Sequence, residues 1–354
     1  MTTTRPAATR PSATGTAATR SAASAPTDLP QRRLGALPVP AVGFGAMVLS
    51  PGMYGSVDEA RAQSALSAAL DAGATFVDTS DGYGQDGHNE RLVGRALRGR
   101  RDEVVVATKF GFRMPAGVEP HRFRVGYEFG ELAVNADPRL VRGYAEQSLR
   151  ELGTDRIDLY YPHFPDPQVP LADTVGAVAE LVEAGLVRHL GLSNVTATQV
   201  REAHAVHPVA AVQVEWSMWR PVEPELLATT RELGIGLVAW SPLGGGFLTG
   251  QVASVAEDDF RRHAPRFAAG ALERNNDRYA PVRALARELD LTPGQLALAW
   301  LLAQDPAVVP IPGSRTPAHI TENVDAARVV LHEDTLARVD RALADFQPEG
   351  ATLL

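Results

Sequence analysis

Four polar residues stand at or just beyond the carboxyl ends of three consecutive β-rich runs. The stretch "FVDTSDGYG" supplies Asp78 and then Tyr83, "VATKF" supplies Lys109, and "YYPHF" supplies His163. Each has an ordinary explanation when taken singly. Asp78 could cap the loop after its strand, Tyr83 could be a loop aromatic, Lys109 could lie on the surface, and His163 could be a satisfied core histidine. Together they suit proton delivery to a carbonyl. A tyrosine with a pKa of ~10 is a poor acid at neutral pH. A nearby ammonium favours the phenolate and lowers that value, and a carboxylate behind the ammonium would hold it charged and in place. A histidine beside them would position the carbonyl oxygen and share its developing charge. Matching the donor to the working pH is what general acid catalysis requires.

Lys109 carries a further signal. The chain has 34 lysine and arginine residues, and Lys109 is its only lysine. Codon bias towards arginine would leave an odd lysine by chance. The physical alternative is that the two side chains differ: lysine is a compact point charge on a slender stem, and arginine a broad planar fork. A site requiring the first does not accept the second.

For these residues to meet, strand ends must converge. After Pro30 the chain alternates β-rich runs with segments of helical periodicity. The eight runs are 40–46, 75–79, 103–110, 157–163, 187–194, 210–216, 236–242 and 307–314. The helical segment around residues 58–73 begins at Ser56-Val57-Asp58 and stops at Gly73, a polar start and a glycine end. Eight such units predict a closed (β/α)8 TIM barrel, whose strands bring their carboxyl ends to one mouth. An open doubly wound sheet would show a glycine fingerprint after its first strand, and "GFGAMVLS" lacks that spacing. "LPQRRLGALPVPAVG" reads as a short hairpin closing the barrel floor. Residues 111–137 and 243–280 are too long to be plain links, and long loops after strands line the active-site face.

The composition sets limits on function. The 354 residues suffice for one large barrel, predicted as a single domain over 31–354. A net charge of −8 disfavours a broad nucleic-acid or anionic-membrane surface, and no apolar run is long enough to span a bilayer. The chain has no cysteine, which removes disulfides, zinc–thiolate sites, iron–sulfur clusters and thiol nucleophiles, and fits a cytoplasmic protein. Residues 1–30 are mostly Ala, Thr, Ser, Pro and Arg and read as a disordered tail. Their acid-poor character also resembles a transit peptide, but a regular apolar stripe is missing. Asp86, His88 and Glu90 gather in "DGHNE", but the segment reads as a polar helix start, so no metal site is expected. "HRFRVGYEF" mixes arginines with aromatics, and on an acidic chain it reads as part of a loop over the substrate mouth. Nothing in the composition sets an oligomeric state.

The motifs "FVDTSDGYG", "ATKFG", "DLYYPH", "GLSN", "VQVEWS", "WSPLGGGFLTG" and "IPGSRTPAHITEN" appear in an order that resembles the aldo-keto reductase superfamily, from about residue 33 to 345. The resemblance implies a metal-free (β/α)8 barrel that reduces carbonyls with NADPH. Its Asp–Tyr–Lys–His tetrad falls on Asp78, Tyr83, Lys109 and His163. It also implies that Ser193, Asn194 and Gln213 hydrogen-bond the nicotinamide carboxamide, that Trp240 stacks on the nicotinamide ring, and that Ser241, Pro242, Leu243, Gly244, Gly245 and Gly246 approach the pyrophosphate. Ser314 and Arg315 would hold the adenosine 2′-phosphate, and Glu322 and Asn323 would contact adenine. At His319 the family commonly has arginine. Histidine is mostly neutral at pH 7, which weakens NADPH preference and leaves NADH possible.

Strand-end positions alone name Met47, Tyr54, Phe110, Phe164 and Trp216 as substrate-pocket residues. That wall suits an apolar or ring-shaped carbonyl. Two other readings stay open: a reductase of a keto-sugar or other specialised metabolite, and a non-catalytic cofactor-binding regulatory subunit.

Overall fold

Strand alternation decides which side chains enter the centre of this molecule. In a strand, successive residues face opposite sides. In the computed structural model, which describes residues 18–20 and 29–354, the eight sequence-predicted runs form eight parallel strands. These are β4 (Phe44–Gly45), β5 (Phe76–Asp78), β6 (Val105–Phe110), β9 (Ile157–Pro162), β10 (Val187–Ser193), β11 (Val209–Glu215), β12 (Gly236–Trp240) and β13 (Val308–Pro310). They hydrogen-bond in sequence order from β4 to β13. Gly43 N donates to Pro310 O at 3.0 Å and brings the first strand against the last. The (β/α)8 barrel expected from the sequence is the fold.

The residues facing inward form one apolar cluster. Phe76, Ala107, Leu159, Tyr161, Ala211, Val238 and Val309 belong to it, while their strand neighbours Val77, Val106, Tyr160, Val212 and Leu237 belong to the larger core between barrel and helices. Tyr161 reaches into the barrel because Gly191 faces it: a Cβ on Gly191 would stand 2.3 Å from the tyrosine ring. The floor is closed by the expected hairpin, β2 (Gln31–Leu34) and β3 (Leu37–Pro40), whose Leu34, Leu37 and Val39 join the inner cluster.

The outer layer is built from α1 (Glu59–Asp71), α2 (His88–Ala96), α3 (Pro138–Leu152), α4 (Leu171–Glu183), α5 (Ala197–Val206), α6 (Pro224–Leu233), α7 (Ala269–Glu288), α8 (Pro293–Gln304), α9 (Pro317–Asp325) and α10 (Glu333–Ala344). Their starts are chemically marked. The Asp58 side chain accepts from Arg61 N at α1, and capping boxes open α5 at Thr196 and α8 at Thr292. Such caps satisfy amides that have no partner within the helix.

Three sequence expectations need correction. The span 111–137 is not a plain loop: it folds into an antiparallel hairpin, β7 (His121–Arg124) and β8 (Glu131–Val134). Asp166 anchors this hairpin by accepting from Ala136 N at 2.8 Å and pairing with His121 Nδ1. The second long span ends earlier than expected, because α7 already begins at Ala269. Leu29 is buried in the core and Pro30 O accepts from Ala41 N, so ordered structure begins before Gln31. Within the expected tail, β1 (Ala18–Arg20) pairs antiparallel with β14 (Val329–Leu331). Residues 1–17 and 21–28 lie outside the described residues. Among the described residues, no helix is long and apolar enough to cross a membrane.

Two stability predictions follow from the packing. Leu34 is fully buried at the floor, so Leu34→Ala should destabilise the protein by ~2–5 kcal/mol in urea unfolding, and a change under ~0.5 kcal/mol would contradict the floor assignment. Glu90 on α2 is also fully buried. Its Oε1 accepts from Thr108 Oγ1 at 2.8 Å. Burial, followed by the nearby Asp81 charge, raises its pKa to about 7. The native state therefore holds that proton more tightly than the unfolded chain, and stability should fall as pH rises from about 4.5 through 7. Glu90→Gln should remove on the order of 2 kcal/mol of that decline; an unchanged pH dependence would show that the carboxyl is not held as described.

Candidate active site

The inward positions one step above the apolar layer are polar. Asp78 follows Phe76 and Val77, Lys109 follows Ala107 and Thr108, and Gln213 follows Ala211 and Val212. Register places Lys109 beside Tyr161 and Asp78 beside Ala107. Lys109 is 1 % exposed and Asp78 2 %. Lys109 Nζ donates to Asp78 Oδ1 at 2.5 Å, to Thr79 O at 2.9 Å and to Tyr83 Oη at 3.0 Å. All three ammonium protons are thereby used. The other oxygen of Asp78 accepts from Gln213 Nε2 at 2.7 Å, so the buried carboxylate is paired and hydrogen-bonded, as a buried charge requires.

Burial pulls the Lys109 ammonium down, but Asp78 and Tyr83 overcome it and hold the group above its ordinary value. Burial lifts Asp78 against the pull of Lys109 and Gln213. Tyr83 departs from the sequence expectation. Lys109 does draw its pKa down, but burial outweighs the ammonium and the phenol stands above its usual 10. At neutral pH Tyr83 is a protonated phenol, half-buried at the mouth.

His163 completes the cluster. Its ring meets Tyr83 edge-on at 5.7 Å, Phe112 edge-on at 4.6 Å and Phe164 in a parallel stack at 5.3 Å. Burial, and then the Lys109 charge, holds it well below the usual histidine range, so it is neutral. Its Nδ1 lies 2.9 Å from Ser80 Oγ. Ser80 is in turn 3.2 Å from Asp81 Oδ1. Asp81 Oδ2 accepts three backbone amides, from Gly111, Phe112 and Arg113, at 3.0–3.2 Å. Neither Ser80 nor Asp81 was singled out from the sequence. Their partners lie on another strand's loop, and adjacency in "TSDGY" does not show which way they face.

Next to His163 stand the residues expected to hold a nicotinamide. Ser193 is buried at the end of β10 and accepts from Asn194 Nδ2 at 3.1 Å. Asn194, at φ 58°, donates to His163 O and accepts from Trp240 Nε1, both at 3.1 Å. Gln213 gives its amide nitrogen to Asp78, which leaves its oxygen as an acceptor. The Trp240 ring is half-buried over the inner cluster. Beyond it, Ser241, Pro242, Leu243 and Gly244 turn into Gly245 and Gly246, with φ positive at Ser241 and at all three glycines. Ser241 Oγ accepts from Gly245 N at 2.9 Å. This set of amide and hydroxyl groups, followed by a turn of three glycines, fits the carboxamide and diphosphate of a nicotinamide dinucleotide.

Around Arg315 the arrangement differs from expectation. The Arg315 guanidinium is bound to the carbonyls of Tyr54 and Ser56 rather than held open. Arg61, on α1, reaches Arg315 O and Thr316 Oγ1 at 3.4 Å and adds a second cation that the sequence reading did not include. Ser314 Oγ accepts from Thr316 N, His319 is exposed at the start of α9, Glu322 accepts from Thr292 Oγ1, and Asn323 is buried.

The expected substrate wall divides. Phe164 lies against His163, and Met47 and Tyr54 are half-buried. Phe110 does not face the mouth. It follows the inward Lys109, so it must point outward, where it packs on Tyr160 at 4.8 Å and Tyr144 at 5.8 Å. Trp216 is buried within the outer core. The aromatic packing around the mouth comes instead from the two long spans, 111–137 and 243–280. Tyr127 and Phe129 of the β7–β8 turn pack on Phe260, and Glu128 N donates to His263 O. Residues near the C-terminus join them, Gly126 N donating to Leu353 O and Arg220 to Thr352 Oγ1. Arg261 grips Asp259, donates to Gly245 O and lies 4.7 Å from the Tyr54 ring. In "DGHNE" the side chains diverge: His88 Nδ1 meets Ser50 Oγ while Glu90 turns into the core towards Thr108.

Comparison with known proteins agrees with this geometry. Residues 41–344 match the Aldo/keto reductase family. The aldo-keto reductase yakc of Schizosaccharomyces pombe, whose name carries NADP(+), is 40% identical over 333 residues, covering 91% of this chain and 94% of its own. The aldo-keto reductase str7 of Strobilurus tenacellus is 41% identical over 337 residues, covering 91% and 94%. Among solved structures, the glycerol dehydrogenase of Gluconobacter oxydans superposes with a TM-score of 0.75 at 27% identity, covering 90% of this chain and 96% of its own. An aldo/keto reductase from Klebsiella pneumoniae, solved with NADP and acetate, gives 0.67 at 27% identity, covering 92% and 99%. With its barrel, its buried Asp–Lys–Tyr cluster and these relatives, the chain belongs to the aldo/keto reductase family.

Proposed function

We propose that this protein reduces a small aldehyde or ketone to an alcohol with NADPH, and that Tyr83 is the proton donor. The observation that carries the proposal is the single hydrogen-bonded unit in which Lys109 Nζ joins Asp78 Oδ1 and Tyr83 Oη. Bound NADPH supplies the hydride that adds to the carbonyl carbon. Tyr83 gives its phenolic proton to the carbonyl oxygen as the C=O π bond opens. The phenolate that remains is held 3.0 Å from a permanently charged ammonium, in a site where few waters compete for it. A raised resting pKa keeps the proton on Tyr83 until the oxygen develops charge. Asp78 and Gln213 keep Lys109 charged and fixed. His163, being neutral, shares the oxygen's developing charge by hydrogen bonding without transferring its own proton.

Ser193, Asn194 and Gln213 would hold the carboxamide, Trp240 would cover one face of the nicotinamide, and residues 241–246 would approach the diphosphate. Ser314 and Arg315 would meet the 2′-phosphate, with His319 close by, while Glu322 and Asn323 would meet adenine. The names of the yeast and Klebsiella relatives, which include NADP, support this assignment.

A hydroxylated carbonyl, such as a keto-sugar, is the second reading, and polar groups whose charges reach one another support it. Glu215 stands at the end of β11. Burial raises its pKa against the pull of Arg220 and Arg266, and its charge reaches Tyr127 and Tyr54. Two phenols and a carboxylate match the alternating donors and acceptors of a polyol.

Two experiments check the reading. Tyr83→Phe should lower kcat for carbonyl reduction by ~10²–10⁴-fold with little change in NADPH affinity, and near-normal turnover would sink the proton-donor role. Titration by tryptophan fluorescence should show NADPH binding more tightly than NADH. Equal or reversed affinities would mean that the 2′-phosphate site has been misread. A panel of aldehydes, ketones and keto-sugars then separates the two substrate classes.

A further inference from the structure

Ser80 has more neighbours than its hydroxyl can satisfy in one way. It is fully buried, and three groups surround Oγ: Gly82 N–H at 3.1 Å, His163 Nδ1 at 2.9 Å and Asp81 Oδ1 at 3.2 Å. A hydroxyl has one proton and two lone pairs. Gly82 N–H occupies one lone pair. The proton goes either to His163 Nδ1 or to Asp81 Oδ1, and each choice fixes the histidine differently.

If Ser80 donates to Nδ1, the neutral imidazole carries its proton on Nε2. It then presents an N–H to the site, the form that can donate to a carbonyl oxygen. If Ser80 donates to Asp81, Nδ1–H must fill the second lone pair, and Nε2 is bare, an acceptor. Asp81 chooses between these. As a carboxylate it competes for the Ser80 proton. As an acid it carries a proton on Oδ1, because Oδ2 is filled by the amides of Gly111, Phe112 and Arg113. That proton would be donated to Ser80 Oγ and drive the Ser80 proton onto His163.

We propose that Ser80 and Asp81 are positioning residues for His163: the protonation state of Asp81, passed through the Ser80 hydroxyl, sets which ring nitrogen of His163 carries the proton and hence whether the site offers a donor or an acceptor to the substrate oxygen. The proposal rests on the assignment of His163 to the carbonyl oxygen. It makes the enzyme's two directions respond oppositely to pH. Reduction needs the donor form, and alcohol oxidation is served by the acceptor form.

Burial raises Asp81 to about 6, although the Arg113, Gly111 and Phe112 amides and the Ser80 hydroxyl oppose the shift. Other ionisable groups surround it. Glu90 on α2, also raised, is close enough for the two carboxyl charges to repel. Tyr144 on α3, Tyr160 on β9 and Tyr83 on its own loop feel its charge and are protonated phenols at neutral pH. Lys109 acts on His163 and disfavours the imidazolium. Among these neighbours only Glu90 titrates in the same range, so the test includes it.

The variant Asp81→Asn mimics the protonated acid. Its carbonyl oxygen can take the three backbone amides, and its NH2 can donate to Ser80. In wild type, the kcat for reduction should rise several-fold as pH falls through about 6. In Asp81→Asn the high value should persist to pH 8, and in Ser80→Ala the step should vanish at a lower plateau. Glu90→Gln should shift the step without removing it. Nitrogen-15 NMR of labelled histidine, with His163 identified by its loss in His163→Gln, reads the tautomer without turnover. Wild type should change from Nε2–H to Nδ1–H across the same range, and Asp81→Asn should stay Nε2–H. A single His163 tautomer from pH 5 to 8, or the same pH step in Ser80→Ala, overturns the proposal while leaving carbonyl reduction intact. An active enzyme whose His163→Gln variant reduces carbonyls at the wild-type rate would instead remove the underlying role of His163.

Discussion

The site depends on an ion pair placed where water cannot screen it. Taking a lysine and an aspartate out of water costs several kcal/mol per charge, and their attraction repays this only with good geometry and every remaining donor and acceptor used. Here that condition is met: the ammonium spends its three protons on Asp78, Thr79 and Tyr83, and Asp78 spends its second oxygen on Gln213. Removing either partner would leave a bare charge in the barrel. Three strand ends, those of β5, β6 and β11, are thus fastened to one another through side chains as well as through the sheet. The phenol is one arm of that network, so the network sets both its position and its readiness to part with a proton.

The barrel makes this pair possible by separating layers. Phe76, Ala107 and Ala211 lie in the interior below, and the residues two positions further along their strands are Asp78, Lys109 and Gln213. A period of two therefore produces a dry floor under a charged plane. Burial raises the phenol and lowers the histidine in that plane, so both are neutral at rest. Tyr127 and Phe129 pack on Phe260, and Gly126 N donates to Leu353 O, which ties the β7–β8 turn to the residues near 260 and 353. In the proposed reaction, the carbonyl oxygen would meet groups fixed in advance.

Much of this was legible from the chain. The eight strand runs, the floor hairpin and the convergence of Asp78, Tyr83, Lys109 and His163 follow from periodicity and from the singular lysine. The misreading of Phe110 was avoidable. Strand alternation puts it opposite Lys109, and being a strand's last residue does not aim it at the mouth. Trp216, one residue beyond the end of β11, is buried in the outer core, which its place after a strand does not reveal. The hairpin within 111–137 was hidden because its strands are short and its anchor, Asp166, lies on another loop. The rise of the Tyr83 pKa was hidden as well, since a sequence shows which charges come near but not how deeply they are buried. Ser80 and Asp81 carry no signal at all until the backbone of 111–113 is brought against them.

The central claim is that the site needs a compact cation between a carboxylate and a phenol, and Lys109→Arg tests it directly. The change keeps the charge and follows the chain's own preference for arginine. A guanidinium is wider and would displace either Asp78 or Tyr83 from its hydrogen bond. The account predicts that kcat for carbonyl reduction falls by at least ~100-fold, with NADPH affinity changed far less because its proposed contacts lie on other strands. A Lys109→Arg enzyme with near-normal kcat and an unaltered pH profile would contradict it.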